Sequence, residues 1–175
     1  MEQLLKFVED YDKFLIFGIG NELRGDDGFG CLLVDNLKKH FSNSYLKKKN
    51  IVLINGSFAP ENFIGLIIKE NPSHILIVDA VLLNEQSKIN KDTNNKPSGK
   101  ILNINRDEIS NYNSSTHSMS LSFLIKYLNN NITFKTFILG VEIESMELGD
   151  NLTDNIENSL NKLQNILIKT LNSLK

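Results

Sequence analysis

Phe14-Leu15-Ile16-Phe17-Gly18-Ile19-Gly20-Asn21-Glu22-Leu23-Arg24-Gly25-Asp26-Asp27-Gly28 is where the chain declares its architecture. The apolar run Phe14 to Phe17 reads as a buried strand, and an apolar-periodic segment begins near Phe29, so the stretch between them joins a strand to a helix. Loops of that kind, at the carboxyl end of a central strand, are where α/β proteins place their chemistry. Glycines at 18, 20, 25 and 28 give the backbone conformations closed to other residues, and the tight loop they allow holds Asp26 and Asp27 side by side. Adjacent like charges are unfavourable. A loop that keeps them, with Arg24 as its basic residue, points to a carboxylate that binds a cation or moves a proton.

Working outward, four further apolar runs rich in β-branched residues predict strands at Ile51 to Ile54, Ile75 to Val78, Ile101 to Ile104 and Phe134 to Val141. The runs at 14, 51 and 75 lack polar alternation, as expected of strands covered on both faces. Helical patterns fall at Phe29 to His40, Pro60 to Lys69, Met119 to Asn129 and Thr153 to Leu174. The last carries Ile156, Leu160, Leu163, Leu167 and Leu171 on one stripe, with Asp150 or Thr153 as its cap. The expected fold is a three-layer α/β/α sandwich around a mostly parallel five-stranded sheet, with residues 1–175 forming a single domain. The polar segment Asn84 to Ser98, with Pro97 before Gly99, reads as an exposed loop.

Composition narrows the function. With 19 Lys and Arg against 21 Asp and Glu the net charge is −2, which gives no electrostatic footprint for nucleic acid. No apolar run approaches the roughly 20 residues needed to span a bilayer, and the segment Met1 to Lys13 is charged and amphipathic rather than signal-like. One cysteine, Cys31, rules out an intramolecular disulfide framework. The expectation is a soluble cytoplasmic protein with neither nucleic-acid nor membrane partners.

Three ionisable residues lie just past apolar runs and so are expected at one edge of the sheet: Asp27, Asp79 and His117, the last opening a helix. Two carboxylates and an imidazole suit a divalent transition metal with positions left open, and equally a base and an electrophile working without one. Taken singly, Asp79 also reads as a turn cap and His117 as a residue bonded to helix backbone. His74 falls at the opposite edge, and His40 at a helix end where a cation suits the dipole. Cys31, among Leu32, Leu33 and Val34, reads as a small buried hydrophobe, with a Cys31 and His117 nucleophilic dyad as the rival. A phosphate cradle at Gly18-Ile19-Gly20 lacks the full dinucleotide fingerprint, and two aspartates would repel a phosphate.

Together, Gly18-Ile19-Gly20-Asn21, Arg24-Gly25-Asp26-Asp27-Gly28, Ala59-Pro60-Glu61-Asn62, Ile75-Leu76-Ile77-Val78-Asp79-Ala80, Thr116-His117-Ser118-Met119 and Leu139-Gly140-Val141-Glu142 resemble, in order and spacing, the nickel-iron hydrogenase maturation protease family. The resemblance runs from about Phe14 to Leu163. It implies an aspartic-type endopeptidase that trims the C-terminal tail of a hydrogenase large-subunit precursor once nickel is inserted, cutting after the basic residue that follows the last cysteine pair. It also implies that Asp27, Asp79 and His117 are the metal-binding and catalytic set, leaving Asp26 to hold the loop's shape. Nickel would be supplied by the substrate's metal centre, with a surrogate divalent metal as the alternative occupant. The expected assembly is a monomer or weak homodimer with the large-subunit precursor as partner. A non-cleaving nickel-dependent assembly factor is the other reading. Asn55 stands where the family usually carries an aspartate, and the Asn84 to Ser98 insertion is atypical. Glu142, Glu144 and Glu147 follow the last strand, where a solvated acidic loop is the expectation and lining of the cleft the alternative.

Overall fold

The computed structural model describes residues 2–83, 99–105, 112–114, 121–143 and 146–174. In chain order come α1 (Glu2–Phe7), β1 (Phe14–Gly18), a 3-10 turn (Gly25–Gly28), α2 (Phe29–His40), α3 (Asn43–Lys48) and β2 (Ile51–Asn55). A second 3-10 turn (Pro60–Phe63), α4 (Ile64–Glu70), β3 (His74–Leu83), β4 (Ile101–Asn103), β5 (Tyr112–Ser114), α5 (Leu121–Asn129), β6 (Lys135–Glu142) and α6 (Asp154–Ser173) follow.

The sheet runs β2-β1-β3-β6-β4. Its first four strands are parallel and β4 is antiparallel to β6, so the expected five-stranded, mostly parallel sheet is present. Alternate residues of the central strands face opposite layers. Phe14, Ile16, Leu76, Val78, Leu139 and Val141 pack with α2 and α6, while Leu15, Phe17, Ile75, Ile77 and Ile138 pack with α4 and α5. The α6 stripe expected from spacing is wholly buried, from Ile156 to Leu171. Each such side chain contributes about 1.5–3 kcal/mol by leaving water. No described helix is long and apolar enough to cross a membrane.

Two differences bear on the site. The strand expected to end at Asp79 continues to Leu83, because β6 keeps pairing through Val81 and Glu142 while β5, a sixth strand, takes the place of β1 beside Val81 to Leu83. Asp79 therefore stands where β1 stops, the last β1 pair being Gly18 with Val78. Glu142 is not in a solvated loop: it closes β6, its N–H bonded to Lys100 O and its C=O to the Gly99 N–H, and it is buried. Glu147 is exposed as expected. Glu144 and the Asn84 to Ser98 segment lie outside the described residues.

Candidate active site

The glycine-rich loop is built by close backbone approach. A Cβ on Gly30, in the first turn of α2, would stand 2.3 Å from Val78 O and 2.4 Å from Ile19 O, so only glycine lets α2 start this close to the strand end. Gly20 has φ +143, and a Cβ there would stand 1.9 Å from Asp27 O. The loop closes on itself through Asn21 N–H to Asp27 O (3.2 Å), Arg24 N–H to Asn21 O (2.9 Å) and Asp27 N–H to Arg24 O (3.2 Å). Ile19 N–H, donating to Val78 O at 2.8 Å, ties it to β3.

These contacts set Asp27 in a 3-10 turn that packs against β3, the strand carrying Asp79. Asp27 is 0% exposed and Asp79 1%. Asp79 Oδ1 accepts the Ala80 N–H at 2.8 Å. Burying carboxylates is expensive, so a fold keeps them only where protein groups or a ligand answer their charge. Asp26, also 0% exposed, serves the fold: its carboxylate accepts the Thr153 N–H at 2.7 Å and the Thr153 hydroxyl at 3.2 Å. It anchors the loop to the start of α6, where negative charge suits the helix dipole.

The structure thus brings two of the three expected site residues, Asp27 and Asp79, to one edge of the sheet. His117 lies outside the described residues. Among those described, no three His, Cys, Asp or Glu side chains gather as a metal site. The two buried carboxylates fit a divalent cation as hard oxygen donors. His74 sits at the amino end of β3, at the opposite edge. Cys31 is buried in α2, its thiol 3.3 Å from Gly20 O, and burial together with the charge of Glu22 pushes its pKa up to about 12. That thiol is no nucleophile.

Exposed apolar side chains stand on the loops tied to the glycine-rich stretch. Leu23 is 70% and Leu148 72% exposed, on loops joined by Gly149 N–H to Leu23 O at 2.8 Å. Phe58, 56% exposed, follows Ser57, whose carbonyl accepts the Gly20 N–H at 3.2 Å.

Sequence reasoning missed the hydrogen bonds of Asn55, whose side chain meets both Glu22 and Asp35. An amide at a strand end beside a glycine-rich loop was the available signal.

Fold and site define an α/β protein with buried carboxylates at the carboxyl edge of its sheet. Residues 32–170 match the family model described as hydrogenase maturation protease. A putative hydrogenase maturation protease of Methanocaldococcus jannaschii is 34% identical over 99% of this chain and 97% of its own. The hydrogenase 3 maturation protease of Escherichia coli K12 is 34% identical over 71% of this chain and 69% of its own. Among solved structures, the [NiFe] hydrogenase maturation protease HycI from Thermococcus kodakarensis KOD1 superimposes with TM-score 0.77 at 20% identity, over 98% of this chain and 99% of that one. A crystal structure of the hydrogenase 3 maturation protease gives TM-score 0.69 at 27% identity, over 87% of each chain. The chain belongs to the hydrogenase maturation protease family. It is thereby a protease with a role in hydrogenase maturation.

Proposed function

We propose that this protein is an aspartic-type endopeptidase that removes the C-terminal peptide of a nickel-iron hydrogenase large-subunit precursor after nickel insertion. The observation that carries the reading is the pair of fully buried carboxylates, Asp27 and Asp79, held at one sheet edge by the glycine-rich turn and the strand it packs against. The neutral thiol of Cys31 supports it by leaving the carboxylates as the candidate chemical groups. So do the exposed Leu23, Leu148 and Phe58, on loops tied to the glycine-rich stretch, which offer an apolar surface to a peptide segment.

Asp27, Asp79 and His117 meet the nickel of the precursor, which is substrate rather than resident cofactor. A carboxylate of the site takes a proton from water as that water attacks the scissile carbonyl, and the leaving amine is protonated in turn. A divalent cation met by these residues would supply positive charge to offset that developing on the carbonyl oxygen. No covalent intermediate forms. The protein acts in the cytoplasm, as a monomer or weak homodimer.

The test is to incubate nickel-loaded precursor with the protein and weigh the product. Loss of a C-terminal peptide is expected, with turnover falling at least about 100-fold in Asp27→Asn, Asp79→Asn and His117→Ala. Binding with unchanged precursor mass would overturn the protease reading in favour of an assembly factor.

A further inference from the structure

Asn55 closes β2 and pairs with Gly18 of β1, directly beside the glycine-rich loop. Its Nδ2 donates to Glu22 Oε1 at 2.9 Å and to Asp35 Oδ2 at 2.9 Å, and its Oδ1 accepts the Ser57 N–H at 3.0 Å. Carboxylates only accept and a backbone N–H only donates, so these partners leave the amide one orientation. Three separate pieces converge on it. Glu22 belongs to the loop that carries Asp27, Asp35 lies on the helix that begins two residues after Asp27, and Ser57 holds Gly20 through its carbonyl.

We infer that Asn55 is a positioning residue for the carboxylate site: one amide clamps both flanks of the Asp27 turn, and it has to be a donor rather than an acid. The inference rests on the protease reading above for its catalytic consequence, and on geometry for the clamp itself. An aspartate at position 55, as the resemblance leads one to expect, would set its carboxylate within hydrogen-bonding reach of two others, Glu22 and Asp35, with no donor between them. The other groups facing the cluster do not relieve this. Lys38 Nζ, 3.4 Å from Asp35 Oδ1, offers one partly exposed charge, and the buried Cys31 thiol stays neutral, with Glu22, Asp35 and Asp79 all acting to keep its proton on. The amide at position 55 therefore gives Glu22 and Asp35 a shared donor where a carboxylate would give them none.

The experiment compares wild type, Asn55→Asp and the swap Asn55→Asp with Glu22→Gln and Asp35→Asn, in which residues 22 and 35 become the donors to the new carboxylate. Readouts are thermal melting against pH, hydrogen exchange at the Asn21 and Asp27 amides, and turnover of nickel-loaded precursor. Asn55→Asp is expected to melt lower than wild type at about pH 7.5 and to close that gap towards about pH 5, since a carboxyl whose folded pKa is raised regains its donor on acidification. Exchange at both amides should quicken and kcat should fall about tenfold or more with KM little changed, and the swap should restore all three. Wild-type exchange and kcat in Asn55→Asp, or no recovery in the swap, would overturn the inference. If wild type itself fails to cut, the protease reading falls, while melting and exchange still decide whether Asn55 holds the loop.

Discussion

Cys31 and Asp27 lie four residues apart on the same short stretch of chain, and both are fully buried. The thiol lies near the carbonyls of Gly20 and Gly18, at 3.3 and 3.9 Å, and faces the negative charge of Glu22. Desolvation and that charge both favour the neutral form, which is why its pKa rises to about 12. At neutral pH the thiolate is then of the order of one molecule in ten thousand or fewer. The thiol half of a Cys31 and His117 dyad is therefore missing. Cys31→Ala should keep full turnover of nickel-loaded precursor, with a stability loss of about 1 kcal/mol from the small cavity. Iodoacetamide should leave the folded protein unlabelled by mass spectrometry at neutral pH. Abolished turnover in a variant that still melts like wild type would reinstate the thiol.

At the scale of elements, the loop that carries Asp27 is fastened to α6 by Asp26 and to α2 and β2 by Asn55, so its geometry depends on helices and strands that are distant in sequence. Thr153 is the N-cap residue of α6, but its hydroxyl turns to Asp26 instead of the helix's own first amides. Thr153→Val removes the hydroxyl bond and keeps the backbone one, and should lower stability by about 1 kcal/mol. Asp26→Asn turns a two-fold acceptor into a group with one oxygen and should lose about 1.5–3 kcal/mol, since the bond lost is charge-assisted. Urea titration measures both, and equal losses would show that the carboxylate's charge is immaterial. These contacts mark the limit of what the sequence makes legible. The β1 strand, the glycine turn, α2 and the α6 stripe follow from local periodicity and from residues a few places apart. The bonds Asp26 to Thr153 and Asn55 to Glu22 span 127 and 33 residues, and no periodic pattern encodes them. Helix α3 escapes the same reading because Leu46 is its one buried residue, too little for a stripe. Strand β3 reads short in the sequence because the charge of Asp79 looks like an end, when β6 continues to pair beyond it.

Across the whole molecule the two edges of the sheet divide the labour: the carboxyl edge gathers buried aspartates, while the amino edge carries an ion cluster that belongs to the fold. There His74, 2% exposed, meets Ser73 Oγ through Nδ1 at 2.9 Å and Asp10 Oδ1 through Nε2 at 3.2 Å, and Lys135 bonds the other oxygen of Asp10. Burial lowers the His74 pKa from its usual 6.5, the charge of Lys135 adds to that, and Asp10 opposes both without reversing them. The unfolded chain therefore binds the proton more readily than the folded one between the lowered value and about 6.5, and stability rises with pH across that window. It is fully present above about 6.5 and declines as the solution is acidified through the folded pKa. His74→Asn removes the titration, so its melting temperature should be flat where that of the wild type falls, and an unchanged slope would assign the acid lability elsewhere. The comparison also bears on the chemistry at the far edge. A drop in cleavage on the acid side that disappears in His74→Asn reports loss of the folded state, whereas one that persists in that variant belongs to the groups that act on the precursor.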